Sequence, residues 1–192
     1  MSIRAGGAMA AWSLFHQVAD GGSIPTSALD FRFEVVDMRT AQRLNKEWHS
    51  LLPRTDLGNL LCGSMSVAYV AIHDGFYFAV SIYSQPIIRS VASDGKTIEL
   101  RRLAVCDDAP KNMASRMMAV TCRLIKQKWP YLEKVVSYLA VDVHDGTIYK
   151  AAGWGPVGKI VDARPQRVKG DKNRATGPLQ TKSRKQRWEK LL

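Results

Sequence analysis

The sequence predicts a single α/β (α+β) domain, a mixed and mostly antiparallel sheet with helices on both faces. Three observations predict it. Apolar runs joined by turn signals fill the stretch before residue 105, a strand, a turn and an amphipathic helix follow one another across Glu99–Trp129, and a continuous apolar run, Val135–Val141, comes directly after that helix. At 192 residues the chain is long enough for one full core.

Residues 1–27 are rich in Gly and Ala with little period. They are expected to form a partly ordered N-terminal arm with a short helix around Ala10–Val18. The main domain is expected over residues 28–162. Phe31–Met38 alternates apolar and polar side chains, as a strand does. Thr40 is placed to cap a helix through Ala41–Leu52, with Leu44, Trp48 and Leu51 on its inner face and His49 near its end, before Pro53. Leu60–Ile72 and Phe76–Tyr83 are two apolar runs joined by His73-Asp-Gly75, a hairpin signal. Tyr69, Tyr77 and Tyr83 on these runs are expected to be core or sheet-face residues. Ser93-Asp-Gly-Lys96 is a second turn, leading into Thr97–Val105.

The stretch that organises the chain comes next. Leu100, Leu103 and Val105 supply the apolar side chains of a strand, with Arg101 and Arg102 between them; Pro110 and Asn112 then break the strand and start a helix. Asn112 is the expected N-cap, its side-chain oxygen accepting from the first turn. Met117, Val120 and Leu124 fall on one helix face with Met118, Cys122 and Ile125 beside them, and Arg116, Arg123 and Lys126 are on the polar side. The open N–H groups and the dipole of such a helix start favour a phosphate, to which Lys111 and Arg116 add full charges. An ordinary helix start is the alternative. Trp129-Pro130 ends the helix, Val135–Val141 reads as a strand buried on both faces, and Asp145–Ala152 as a short helix closed by Gly153.

The charge is unusual: 28 basic against 17 acidic residues, +11 net. That favours a polyanionic partner, most simply nucleic acid. Most of the excess lies in residues 163–192, where ten Lys or Arg stand against Asp171 and Glu189. Pro165, Gly170, Gly177 and Pro178 argue against regular structure there, and a flexible basic segment carrying Lys182, Arg184, Lys185 and Arg187 is expected to track phosphates. Trp188 is expected to pin this segment to the core rather than to stack on a base. Cys62, Cys106 and Cys122 share no metal-type spacing and read as buried thiols of a reducing cytosol. Ala8–Phe15 is too short for a signal peptide, and no stretch is long and apolar enough to span a membrane. Asp142, His144 and Asp145 place a histidine and two carboxylates within four residues, which suits a metal, a base or a solvated turn.

The segment Glu99–Val105 and the loop and helix after it resemble the acyl-CoA site of the GCN5-related N-acetyltransferases, where a strand, an Arg/Gln-x-x-Gly-x-Gly/Ala loop and a helix hold the cofactor pyrophosphate. Here Ala109, Asn112 and Ala114 take the three motif positions, and Asn112 replaces the first glycine with the residue that best tolerates left-handed backbone angles. A closer resemblance covers residues 49–192. Trp48-His-Ser-Leu-Leu-Pro53, Glu99–Val105, Asp108-Ala-Pro-Lys-Asn112, Ala114-Ser-Arg-Met117, His144-Asp-Gly-Thr-Ile-Tyr-Lys-Ala-Ala-Gly-Trp154 and Arg187-Trp-Glu189 together resemble the phage Mom family, acetyltransferase-like enzymes that convert adenine in DNA to its carbamoylmethyl form and so protect phage DNA from restriction.

That resemblance implies an acetyltransferase-like fold in which the strand after the central helix splays from its neighbour and the acyl-CoA arm lies in the gap. It implies His49 as base or metal ligand, Asp142 as a catalytic or metal-binding carboxylate and Tyr149 as the acid that protonates the leaving thiolate. Arg102, Asn112, Ser115 and Arg116 fall on the cofactor side. It implies acetyl-CoA or a related acyl donor, with iron as a further cofactor, double-stranded DNA as partner and the host cytoplasm as location. The family carboxylate that follows Ser-Tyr-x is replaced here by Leu139-Ala140, with Asp142 two residues further on. A homodimer stays open. Two other functions stay open as well: CoA-dependent acetylation of a protein or small-molecule amine, and non-enzymatic DNA binding on the same scaffold. Removal of residues 163–192 separates them, because only the DNA-binding reading requires the segment.

Overall fold

The computed structural model describes residues 2–4, 11–12, 25–49, 65–162 and 183–192. In chain order the elements are β1 (Ser2–Arg4), β2 (Ala11–Trp12), β3 (Arg32–Val36), α1 (Met38–Trp48), β4 (Ser66–His73), β5 (Phe76–Ser84), α2 (Arg89–Ala92), β6 (Thr97–Val105), α3 (Met113–Lys128), β7 (Lys134–Ala140), α4 (Thr147–Ala151), β8 (Gly155–Val161) and β9 (Lys185–Leu191). The expected helix at Ala10–Val18 is corrected where it is described, since Ala11 and Trp12 form β2 and pair with β1; its other residues, Leu51, Leu60–Gly63 and Lys182 lie outside the described residues.

The strands form one mixed sheet in which every pairing is antiparallel except β6 with β7. The β4–β5 hairpin turns through Asp74 and Gly75, both at positive φ (46° and 79°), which is the twist-matched two-residue turn that Asp-Gly favours. β5 pairs with β6 from Ala79 to Ser84, and β1 meets β5 at Phe76 and Tyr77, beyond the end of β6. β9 lies between β7 and β8.

Alternation along β4 and β5, shifted on β5 by a bulge opposite Ala71 and Ile72 that leaves Phe78 and Ala79 on the same face, sends side chains to two cores. Val67, Tyr69, Ala71, Phe78 and Tyr83 pack with Met113, Met117, Met118, Cys122 and Ile125 of α3 on one face. Ala68, Val70, Ile72, Val80 and Ile82 pack under Ala41 and Leu44 of α1 on the other. Helices on both faces, and buried Tyr69, Tyr77 and Tyr83, agree with the expectation. Tyr83 also ties sheet to helix: its hydroxyl is 2.6 Å from Thr121 Oγ1, which donates onward to the Met117 carbonyl.

Several local expectations are corrected. The α1 cap is Asp37, whose carboxylate accepts from Thr40 N at 2.9 Å; a carboxylate at the first turn also opposes the helix dipole better than a threonine does. The buried stripe of α3 runs through Met113, Met117, Met118, Thr121, Cys122 and Ile125, leaving Val120 and Leu124 only half-buried, because α4 packs beside this helix as well as the sheet below it. The last seven residues before Leu192 are not irregular: β9 pairs along the whole of β7, from Lys134↔Leu191 to Ala140↔Lys185. Backbone pairing with a central strand overrides the high charge of Lys185-Gln-Arg-Trp-Glu-Lys, and the buried Trp188 pins the segment as expected.

Candidate active site

β6 and β7 run parallel for only three pairs, Thr97↔Lys134, Ile98↔Val135 and Glu99↔Val136. Beyond them β6 follows β5 and β7 follows β9, so the sheet opens at Leu100 and Ser137. A cavity of about 490 Å³ fills the opening, walled by Glu99–Val105, Ser137–Ala140, residues 144–149, Trp48, His49, Ala114 and Lys185.

Where β6 and β7 part, Ser137 Oγ donates to the Leu100 carbonyl at 3.1 Å. The hydroxyl of Tyr149, from α4, is 2.9 Å from the same Ser137 Oγ. Tyr149 is fixed on its other sides by aromatic rings, stacked on Trp188 of β9 at 5.2 Å and edge-on to Trp154 at 5.6 Å. Burial raises its pKa, opposed by the Ser137 hydrogen bond, so the phenol is protonated at neutral pH. The expected acid therefore sits in the gap between the strands, held in one orientation.

His49 caps the C-terminus of α1 through its backbone and reaches the same cavity. Burial pulls it down to about 4, helped by the Arg102 and His144 charges, which keeps the imidazole neutral at pH 7 and makes it a weaker base than a free histidine. Arg102 and Lys185 line the same walls, and both are lowered first by burial; Arg102 is held down further by Arg101, and Lys185 by Arg102. Arg102 Nη1 donates to the Arg101 carbonyl at 2.6 Å, while Arg101 pairs with Glu99 at 3.3 Å in a buried ion pair. The cavity thus holds a net excess of cationic side chains among the described residues.

The helix start behaves as the sequence suggests in backbone terms only. Asn112 is left-handed (φ 68°, ψ 5°), as the glycine it replaces would be, but its side chain makes no cap hydrogen bond. That corrects the expected role, since a left-handed residue cannot present its side chain to the turn as an extended N-cap does. Its carbonyl accepts instead, from Ser115 Oγ at 3.0 Å and Arg116 N at 2.9 Å. Asn112, Ser115 and Arg116 form the start of α3, which contributes Ala114 to the cavity wall. Arg102 shares the cavity with His49 and Lys185.

Asp142 lies outside the cavity wall. Its carboxylate accepts from Arg184 N at 2.7 Å and Arg184 Nε at 2.9 Å, bonds that lower its pKa, backbone bond first. Arg187 pairs with Glu189 at 3.0 Å. Of the four basic residues expected on DNA, Lys185 faces the cavity, Arg184 and Arg187 are ion-paired, and Lys182 is undescribed. Among the described residues no three His, Cys, Asp or Glu side chains are grouped to hold a metal. The described residues do not fit the iron that the resemblance implied, because Asp142 is held by Arg184 outside the cavity that His49 reaches.

Sequence reading missed Ser137. The available signal was a lone serine in an apolar strand buried on both faces, a position that demands a hydrogen-bond partner. The cavity role of Lys185 had no local signal, because it depends on β9 entering the sheet.

A parallel strand pair that splays over a helix start, with a tyrosine from the following helix in the gap, defines the GCN5-related N-acetyltransferase fold. An acetyltransferase of Bacillus subtilis solved with CoA has it, at 12% identity and a TM-score of 0.58 over 84% of this chain and 99% of that one. So does a spermidine N-acetyltransferase of Vibrio cholerae solved with CoA and spermine, at 11% identity and a TM-score of 0.56 over 85% and 96%. The ribosomal-protein-S18-alanine N-acetyltransferase of Escherichia coli gives 10%, 0.56, 83% and 90% for the same measures. Within this fold the chain belongs to the Mom protein family, whose profile matches residues 77–191, from β5 to the end of β9. No curated protein sequence matches the chain. No helix among the described residues is long and apolar enough to cross a membrane.

Proposed function

We propose that this protein is an acyltransferase-like enzyme that takes a CoA-linked donor and modifies the exocyclic amine of adenine in double-stranded DNA, with the carbamoylmethyl base as product and protection of phage DNA from restriction as its purpose. The observation that carries this reading is the pairing of a protonated Tyr149 with a neutral His49 in the cavity where β6 and β7 part, in a Mom-family chain. The two CoA-bound neighbours support a CoA donor. The net charge of +11 supports a DNA partner.

The chain's own residues have clear tasks. The open start of α3 suits the donor pyrophosphate. The strand gap takes the donor's thioester arm. Arg102 and Lys185 offer charge to a nucleotide phosphate at the cavity. His49 accepts the proton that the amine loses, and Tyr149 supplies one to the leaving sulfur. The target amine lies inside the duplex, so the base must be flipped or caught unpaired. Attack on a thioester carbonyl attaches the new group through that carbonyl, whereas carbamoylmethyl is attached through its methylene, so acetyl transfer alone does not make that product: the donor is other than plain acetyl-CoA, or a further step is added.

Mass spectrometry of nucleosides from plasmid DNA of cells expressing the protein tests the reading. A deoxyadenosine heavier by a carbamoylmethyl group, lost with Tyr149→Phe, is the expected result. An acetyl adduct would keep the DNA target and replace the product. Unmodified DNA from cells with folded protein would overturn the DNA assignment.

A further inference from the structure

A hydroxyl has one proton to donate, and Ser137 has two neighbours that could receive it. Ser137 Oγ lies 3.1 Å from the Leu100 carbonyl and 2.9 Å from the Tyr149 hydroxyl. The carbonyl has no hydrogen to give, so Ser137 must donate to it for that bond to exist. Tyr149 then donates to Ser137. In the resting protein the Tyr149 proton is therefore engaged within the cavity wall, in a chain running Tyr149 O–H, Ser137 O–H, Leu100 C=O. An acid aimed this way cannot deliver its proton until the chain turns.

We propose that Ser137 is a positioning residue that reverses with catalysis: its hydroxyl gives up the Leu100 carbonyl, donates to Tyr149 and so frees the Tyr149 proton for the leaving sulfur. The proposal rests on the acyl-transfer reading. As the acceptor nitrogen bonds to the thioester carbonyl carbon, the carbon–sulfur bond breaks and sulfur keeps the electron pair. Sulfur takes the Tyr149 proton, and the phenolate left behind accepts from Ser137 O–H. The acceptor nitrogen loses its proton to His49, and Tyr149 is reprotonated from solvent, which restores the resting chain.

Three features of the fold serve this device. The Leu100 carbonyl is available because β6 and β7 have parted one residue earlier, after Glu99↔Val136. Ser137 is buried at 4% exposure, so bulk water does not compete for either bond. The Tyr149 ring is clamped by Trp188 and Trp154, so the hydroxyl rotors turn while the ring stays.

The test uses the full chain with its six tyrosines replaced by 3,5-difluorotyrosine, which ionises in a range where the protein stays folded. The Tyr149 fluorine resonance, assigned with Tyr149→Phe, is titrated in the wild type, Ser137→Ala and Ser137→Thr. CoA thiol release from acetyl-CoA with duplex DNA is measured on the unlabelled proteins. Ser137→Ala should raise the Tyr149 pKa by about one unit, because its phenolate loses a donor. It should also lower kcat about tenfold or more with KM for acetyl-CoA within twofold, while Ser137→Thr, which keeps a hydroxyl, should stay near wild type in both. An unmoved Tyr149 titration in Ser137→Ala would overturn the proposal, as would a rise in KM with kcat intact. A wild type that releases no thiol would overturn acetyl transfer to DNA and the proton-delivery role with it, while nucleoside mass spectrometry decides the DNA-modification reading and the fluorine titration decides whether the hydroxyl chain exists.

Discussion

A Cβ placed on Gly146 would stand 2.4 Å from Cζ2 of Trp188. Gly146 also has φ +82°, a conformation that side chains resist. The loop before α4 and the indole of β9 thus meet backbone to ring, beside the stack of Tyr149 on Trp188. Gly146→Ala should destabilise the protein by about 3 kcal/mol, through overpacking and backbone strain together. A denaturant midpoint within experimental error of wild type would refute this contact.

Tyr149→Phe is a different kind of change. The ring keeps its two tryptophan contacts, and Ser137 keeps the Leu100 carbonyl. Stability should fall by about 1 kcal/mol or less. Modification of DNA should fall about a hundredfold, the typical worth of a positioned acid. Turnover equal to wild type in nucleoside mass spectrometry would remove Tyr149 from the chemistry.

Glu99 and Arg101 form a buried pair whose side chains are 9% and 6% exposed. Burial raises the Glu99 pKa in spite of Arg101 and the Ile87 N–H, so desolvation wins over the attraction. Glu99→Ala should cost about 3 kcal/mol, because Arg101 is then buried with no opposing charge. Replacing both residues by leucine should recover most of that loss. A double variant as unstable as the single would show that the pair stabilises the fold in its own right.

His49 gives a pH dependence with a definite sign. An unfolded chain protonates this histidine near 6.5 and the folded protein near 4. Between those values the unfolded state holds the extra proton, so stability falls as pH drops from 6.5 to 4 and loses nothing further from this residue below 4. His49→Gln should flatten that part of the stability profile relative to wild type. Superimposable profiles from pH 7 to 4 would show that His49 ionises freely in the folded protein.

Asp142 carries two hydrogen bonds from Arg184 outside the cavity. Asp142→Asn should keep DNA modification within about twofold of wild type. A loss of a hundredfold or more would place this carboxylate in the reaction despite its distance from the cavity wall.

The sequence by itself determined the parts governed by neighbours in the chain. Asp74-Gly75 dictates its hairpin, Trp129-Pro130 ends its helix, and Asn112 accepts a left-handed turn, because each depends on backbone sterics within a few residues. His49 and Tyr149, which share the cavity, were legible as candidates only through the ordered family segments around them. Tertiary structure alone decided the rest. Lys185-Gln-Arg-Trp-Glu-Lys reads as a charged tail, yet it becomes β9 because β7 has an edge to pair and a cleft for Trp188. That pairing brings Lys185 to the cavity and turns Arg184 onto Asp142. Ser137 meets the Leu100 carbonyl because two strands separate beside it. Hydrogen bonds between residues 37 positions apart, as in Ser137–Leu100, have no local signature; burial and the cost of an unpaired polar group select them once the chain has folded.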